Sequence, residues 1–241
     1  MTGAQTAAPN PGPSNLALRW ISSLVLAPIV LAISYYGGWP FVAFWTLAAC
    51  IVLCEWSTLV KAGTASIGAF VGWMVAGLAY AGVLALAPAI LRGDVALGFV
   101  AIVFLFAVVW STDVFAYFAG RAFGGPKLMP AVSPKKTWSG AAGGTLGAVA
   151  AGLIVVKASG LQPGPAVAAV ALLLSIVSQV GDLLESAIKR RFNAKDSSQL
   201  LPGHGGLMDR LDGFLTAVLA AAMVGLLRGG FEAPARGLLI W

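Results

Sequence analysis

Charge is what this chain lacks. Asp, Glu, Lys and Arg make up 10% of its 241 residues and hydrophobic residues 59%, whereas soluble domains are about 25% charged. The scarcity is also uneven. No charge occurs between Arg19 and Glu55, between Lys61 and Arg92, between Asp94 and Asp113, or between Lys157 and Asp182. Each interval is long enough for a membrane span, which takes about 17–25 mostly apolar residues. Histidine occurs once and cysteine twice, which excludes a zinc pattern and a disulfide framework. Cys50 and Cys54, four apart in an apolar run, read as small buried apolar side chains. The short alternating segments of a transmembrane barrel are missing too. What remains is an all-α polytopic integral membrane protein.

Apolar runs and polar breaks give about seven spans, near 19–36, 39–60, 67–88, 95–119, 138–156, 164–188 and 213–228, within a range of six to nine. Residues 1–18 carry no basic n-region and are rich in Pro, Gly and Ala; they read as a disordered cytoplasmic tail rather than a signal peptide. Residues 19–94 form an N-terminal group of helices. Residues 95–241 form a catalytic region with two functional loops, 120–137 and 189–212. With seven spans, eleven of the basic residues fall on the side of those loops and four on the other, so the loops and the N-terminus face the cytoplasm. That orientation, with attraction to anionic lipid, accounts for the net charge of +6. Nucleic-acid binding is excluded, because no soluble domain carries a basic patch.

Four acidic residues stand within or beside the spans: Glu55, Asp113, Asp182 and Glu185. Such residues are costly in a membrane and usually serve function. Glu55, near Lys61, suits an interfacial or a catalytic role. Asp113 lies two helical turns before Arg121, within reach of a structural ion pair. Asp182, Glu185, Ser186 and Lys189 fall on one helical stripe. Asp209 and Asp212 share a face at the start of the last helix. Asp182, Asp209 and Asp212 together form an oxygen-only cluster that suits Mg²⁺ or Mn²⁺. In the other loop, Ser133, Lys135, Lys136 and Thr137 precede an apolar helix, with Thr137 as its N-cap. Lysines and hydroxyls at a helix N-terminus suit phosphate. This is not a Walker A loop, because the glycine spacing before the lysine is missing. Gly140 and Gly144 offer close helix packing. His204, within "PGHGG", is a candidate acid, base or phosphate contact.

The segment 186–212 closely resembles the signature of the phosphatidate cytidylyltransferase (CDP-diacylglycerol synthase) family. Ser186, Lys189, Arg190, Lys195, Asp196, His204, Gly205, Gly206, Asp209, Arg210 and Asp212 stand in its order. "DVFAYFAGRAFG" and "SPKKTWSG" resemble further family blocks, and Ser139 departs from the glutamate often found there. The resemblance implies condensation of CTP with phosphatidic acid to CDP-diacylglycerol and pyrophosphate, with a divalent cation. On that basis Asp182 and Asp209 are expected as metal ligands, with Asp212 and Glu185 beside them. Ser133, Lys136 and Thr137 are expected on CTP phosphates. Arg121, Lys189 and Arg190 are expected on phosphatidate or pyrophosphate. The setting would be the cell's inner membrane, with a homodimer left open.

Two other functions compete. A CTP-dependent polyprenyl or phytyl alcohol kinase shares the nucleotide and metal chemistry. A transporter would also bury acidic residues, but it tends to place them at the midplane of repeated halves. Here the charge gathers toward one face, without a repeat.

Overall fold

A computed structural model of the chain describes residues 15–198, 200 and 205–241, with side chains from Leu26 onward. The order is α1 (Asn15–Tyr36), α2 (Gly38–Gly63), α3 (Ile67–Gly93), α4 (Gly98–Phe123), β1 (Lys127–Met129), β2 (Ser133–Thr137), α5 (Trp138–Ala158), α6 (Pro165–Arg191), α7 (Met208–Gly229) and α8 (Pro234–Leu239). Helices α2 to α7 are each long and apolar enough to cross a membrane. The first expected span falls in α1. The all-α polytopic architecture holds, and each expected span lies on a helix. Residues 15–18, expected in the tail, are the first turn of α1; residues 1–14 lie outside the described residues.

Local chemistry explains the helix ends. Ser66 accepts the Ala69 amide at 3.2 Å to open α3, Pro165 occupies the first turn of α6, and Asn193 adopts a positive φ of 55° just past its end. At one end of the bundle the few charges close helix ends. Arg92 donates to Ser34 O and Tyr35 O at 2.6 and 2.8 Å. Asp94 accepts the amides of Ala96, Leu97 and Arg236, each at 3.0 Å. Arg228 binds Ile240 O at 3.0 Å and lies 3.4 Å above the Trp241 ring, which holds α8 against α7.

Helix α7 is the hub. Its Phe214 stacks on Trp45 of α2 at a centroid distance of 4.9 Å and on Phe106 of α4 at 5.3 Å. Small polar groups tie the interior together: Thr112 and Ser175 hydroxyls meet at 2.8 Å, and Gln179 donates to Thr145 at 3.0 Å. Helices α4 and α5 approach closely along glycines. A Cβ on Gly144 would stand 2.6 Å from Thr112 O. Leu47, Leu78, Leu146, Ile154 and Leu227 are exposed around the outside, as a lipid-facing surface requires.

Two expectations are corrected. Cys50 and Cys54 are exposed on α2 rather than buried; in a span apolar on both sides, hydropathy does not tell the inner face from the outer. The loop 120–137 is largely ordered: α4 runs on to Phe123, and an antiparallel hairpin pairs Lys127 with Thr137 and Met129 with Ser133. Gly124 and Gly125, with φ of 59° and 95°, make the turn out of α4 that few other residues allow.

Candidate active site

The functional residues gather where α2, α4 and α6 end and α5 and α7 begin. Thr137 closes β2 and opens α5, its Oγ1 accepting the Gly140 amide at 3.1 Å, as expected of the N-cap. This places Lys135 and Lys136 at the mouth of a pocket of about 380 Å³. Asp113 and Arg121 line it from α4, and Gln179 and Asp182 from α6. Lys136 Nζ is ion-paired with Asp182 Oδ2, and Ser186 Oγ is 3.5 Å from Asp182 Oδ1. Arg121 donates to Tyr117 Oη at 3.0 Å; among the described residues it forms no ion pair with Asp113. Arg210 is within electrostatic range of Asp113. Ser133 stands on β2 outside the pocket lining. Ser139 donates to Gly124 O and meets Thr137 Oγ1 at 3.1 Å, bracing the turn behind the lysines.

Two turns further along α6, about 10 Å, lies a denser polar knot. Lys189 Nζ is 2.7 Å from Glu185 Oε2 and 2.6 Å from Asp209 Oδ1. Asp209 also accepts the Ser197 amide at 3.0 Å, the Ser197 hydroxyl at 3.1 Å and the Gly206 amide at 2.8 Å. Gly205 takes a φ of 83° to bring this turn in. Glu185 is 1% exposed, and its Oε1 has no hydrogen-bond partner among the described residues. Asp212 accepts the Gly213 amide at 2.7 Å and is within electrostatic range of Asp182, Glu185 and Asp113. Arg190 is exposed and donates to Ala194 O at 2.8 Å, fixing the turn after α6. His204 lies outside the described residues.

Among the described residues, no three His, Cys, Asp or Glu side chains converge as a ready ligand set. Mg²⁺ asks for less, typically one or two carboxylates completed by water and substrate phosphates. Asp182 at the pocket and Asp212, within electrostatic range of it, offer hard oxygens alone, so the donor chemistry fits. Asp209 is differently placed. A carboxylate has about four acceptor sites, and Lys189, Ser197 and Gly206 already engage both its oxygens.

The cytidylyltransferase family model matches residues 64–227 of this chain. The phosphatidate cytidylyltransferase of Brucella abortus is 44% identical over an alignment of 262 residues, covering 92% of this chain and 96% of the relative. That of Bacillus subtilis is 47% identical over 109 residues, covering 45% of this chain and 40% of the relative. The chain belongs to the cytidylyltransferase family.

In this cytidylyltransferase the sequence brings most expected residues to one end of the bundle and marks Glu55, but leaves its partners unread. Glu55 is 6% exposed and reaches from α2 to the start of α7. Its signal was an acidic residue in an apolar run. Ser197, Ser198 and Tyr117 carried no such signal, because small or amphipathic side chains do not disturb a hydropathy profile.

Proposed function

We propose that this protein condenses CTP with phosphatidic acid. A phosphatidate oxygen attacks the α-phosphorus of CTP. A new P–O–P bond forms, the bond from the α-phosphorus to the β-bridging oxygen breaks, and pyrophosphate leaves with CDP-diacylglycerol as product. The observation that carries this reading is a pocket flanked by Lys135, Lys136, Arg121, Asp113 and Asp182 at the end of an otherwise apolar bundle, where a lipid phosphate and a water-soluble nucleotide can meet. Negative charge grows on the transferring group, and positioned cations lower its energy.

In this scheme Lys135 and Lys136 bind the CTP phosphates, and Lys136 exchanges Asp182 for the nucleotide as it does so. Arg121 and Arg210 face the lipid phosphate or the departing pyrophosphate. Lys189 holds Asp209 in place. Asp182 and Asp212 would hold a Mg²⁺ or Mn²⁺ ion, which supplies charge neutralisation at the phosphates when bound. The eleven-to-four distribution of basic residues supports an inner-membrane protein with this end in the cytoplasm.

The test is incubation of purified protein in detergent with CTP, phosphatidic acid and Mg²⁺. CDP-diacylglycerol and pyrophosphate are the expected products. CDP with a newly phosphorylated lipid alcohol would make the protein a kinase instead, and absence of product from folded protein would overturn the reading.

A further inference from the structure

We infer that Glu55 is a positioning residue for the transfer reaction, acting on Asp209 through Ser197 and the N-terminus of α7. The inference rests on the reaction proposed above. Glu55 precedes the residues that the family model matches, and among the described residues none of its hydrogen-bond partners lines the pocket.

Among the described residues, four donors lie within hydrogen-bond distance of the Glu55 carboxylate, all in the segment that leads into α7. Oε1 accepts from Ser198 Oγ at 2.6 Å and from the Leu207 amide at 2.9 Å. Oε2 accepts from Ser197 Oγ at 3.1 Å and from the Met208 amide at 2.8 Å. The first amides of a helix have no partner within it, so α2 supplies the cap that α7 lacks: no side chain of its own flanking residue caps it. A negative group also suits the positive end of the helix dipole.

The same contacts fix Asp209. Ser197 Oγ stands 3.1 Å from Glu55 Oε2 and 3.1 Å from Asp209 Oδ2. Its single proton serves one carboxylate at a time, so this hydroxyl is shared between a carboxylate from α2 and one from α7. Gly206 shows how tight the junction is. A Cβ there would lie 1.9 Å from Ser197 Oγ and 2.8 Å from each Glu55 oxygen. Through this knot α2 sets the height and rotation of α7, and hence the positions of Asp209 and Asp212 relative to Asp182.

Replacing Glu55 with Gln keeps the shape but turns one acceptor into a donor facing a backbone amide. Glu55→Gln is expected to lower kcat by about 10- to 100-fold, the range seen when a partner behind a liganding group is removed, the group here being Asp212 near the start of α7. The KM for CTP should stay within about twofold, since Lys135 and Lys136 are untouched. Ser197→Ala should lower kcat in the same direction, and in the Glu55→Gln background it should add little, because both changes break one chain of contacts. A wild-type kcat in Glu55→Gln, or fully multiplicative effects in the double variant, would overturn the inference. So would a KM for CTP that rises in step with the fall in kcat, which marks general loosening. Should Glu55→Gln not fold, Ser197→Ala and Ser198→Ala decide by the same split between kcat and KM. Amide hydrogen exchange at Leu207 and Met208 gives a readout free of activity. Faster exchange in Glu55→Gln with no turnover in the wild type would fault the proposed reaction and leave the Glu55 clasp standing; unchanged exchange would overturn the clasp itself.

Discussion

Lys189 Nζ stands 2.6 Å from Asp209 Oδ1, joining the cytidylyltransferase's α6 to the first turn of α7. The lysine's other partner, Glu185, is buried at 1% exposure. One cation therefore balances two carboxylates where water is scarce, and the consequences of removing it follow from that imbalance.

Lys189→Met leaves Glu185 and Asp209 uncompensated. Breaking one side of a buried pair costs about 3–5 kcal/mol, so the variant should melt well below wild type in detergent. Adding Glu185→Gln should recover part of that loss, since it removes the more deeply buried of the two stranded carboxylates while Asp209 keeps its Ser197 and Gly206 amides. Activity should not return, because Asp209 has still lost its lysine. Thermal melting of the single and double variants checks the first point, and turnover of CTP the second.

Lys136 makes the contrasting case. Its ion pair with Asp182 is partly open, with both side chains 29% exposed, and such pairs contribute little to stability, about 0–1 kcal/mol. Lys136→Ala should therefore melt close to wild type. A hydrogen bond to a charged group contributes about 1.5–3 kcal/mol, so KM for CTP should rise roughly 10- to 100-fold. Lys136→Arg should recover part of it. An unchanged KM would remove Lys136 from the nucleotide site.

How much of this was legible in the sequence depends on the range of each interaction. The spans were legible because charge is excluded from them, and Thr137 was legible because a cap sits beside the helix it opens. The Lys136–Asp182 pair joins residues 46 positions apart, and the Glu55–Ser197 bond joins residues 142 apart. Periodicity carries no information about such pairings. The hairpin at 127–137 escaped for a related reason: "SPKKT" is polar and contains proline, and its strand character comes from the partner strand rather than from its own propensity. The stripe on α6 was seen as one surface, yet Asp182 turns to Lys136 on β2 while Lys189 turns to α7.

Metal removal separates the two carboxylate groups. If Asp182 and Asp212 hold the ion, chelation should abolish turnover, and Mg²⁺ or Mn²⁺ should restore it. Asp182→Asn should raise the Mg²⁺ concentration giving half-maximal rate by about tenfold or more, with little change in melting temperature. Asp209→Asn should instead lower the melting temperature, because its carboxylate anchors Lys189 and the Ser197 and Gly206 amides. Equal Mg²⁺ shifts without destabilisation in both variants would place Asp209 among the ligands.

The pocket's width is set by the α4–α5 contact, and glycine makes that contact possible. Asp113 and Arg121 reach the pocket from α4, while Lys135, Lys136 and Thr137 reach it from the strand that opens α5. A Cβ on Gly144 would sit 2.6 Å from Thr112 O and 3.0 Å from the Ala116 side chain. Backbone cannot yield as a flexible side chain can, so Gly144→Val must push the helices apart, at about 1–3 kcal/mol. The same change at Gly68 on α3, where nothing lies within 4 Å of an added Cβ, controls for adding bulk to a helix. Gly144→Val should lower the melting temperature and raise KM for CTP, because the lysines and the α4 residues no longer close on one ligand. Gly68→Val should change neither. Equal losses at both positions would mean that helix bulk, not the α4–α5 approach, limits the protein, and the pocket would need another explanation for its width.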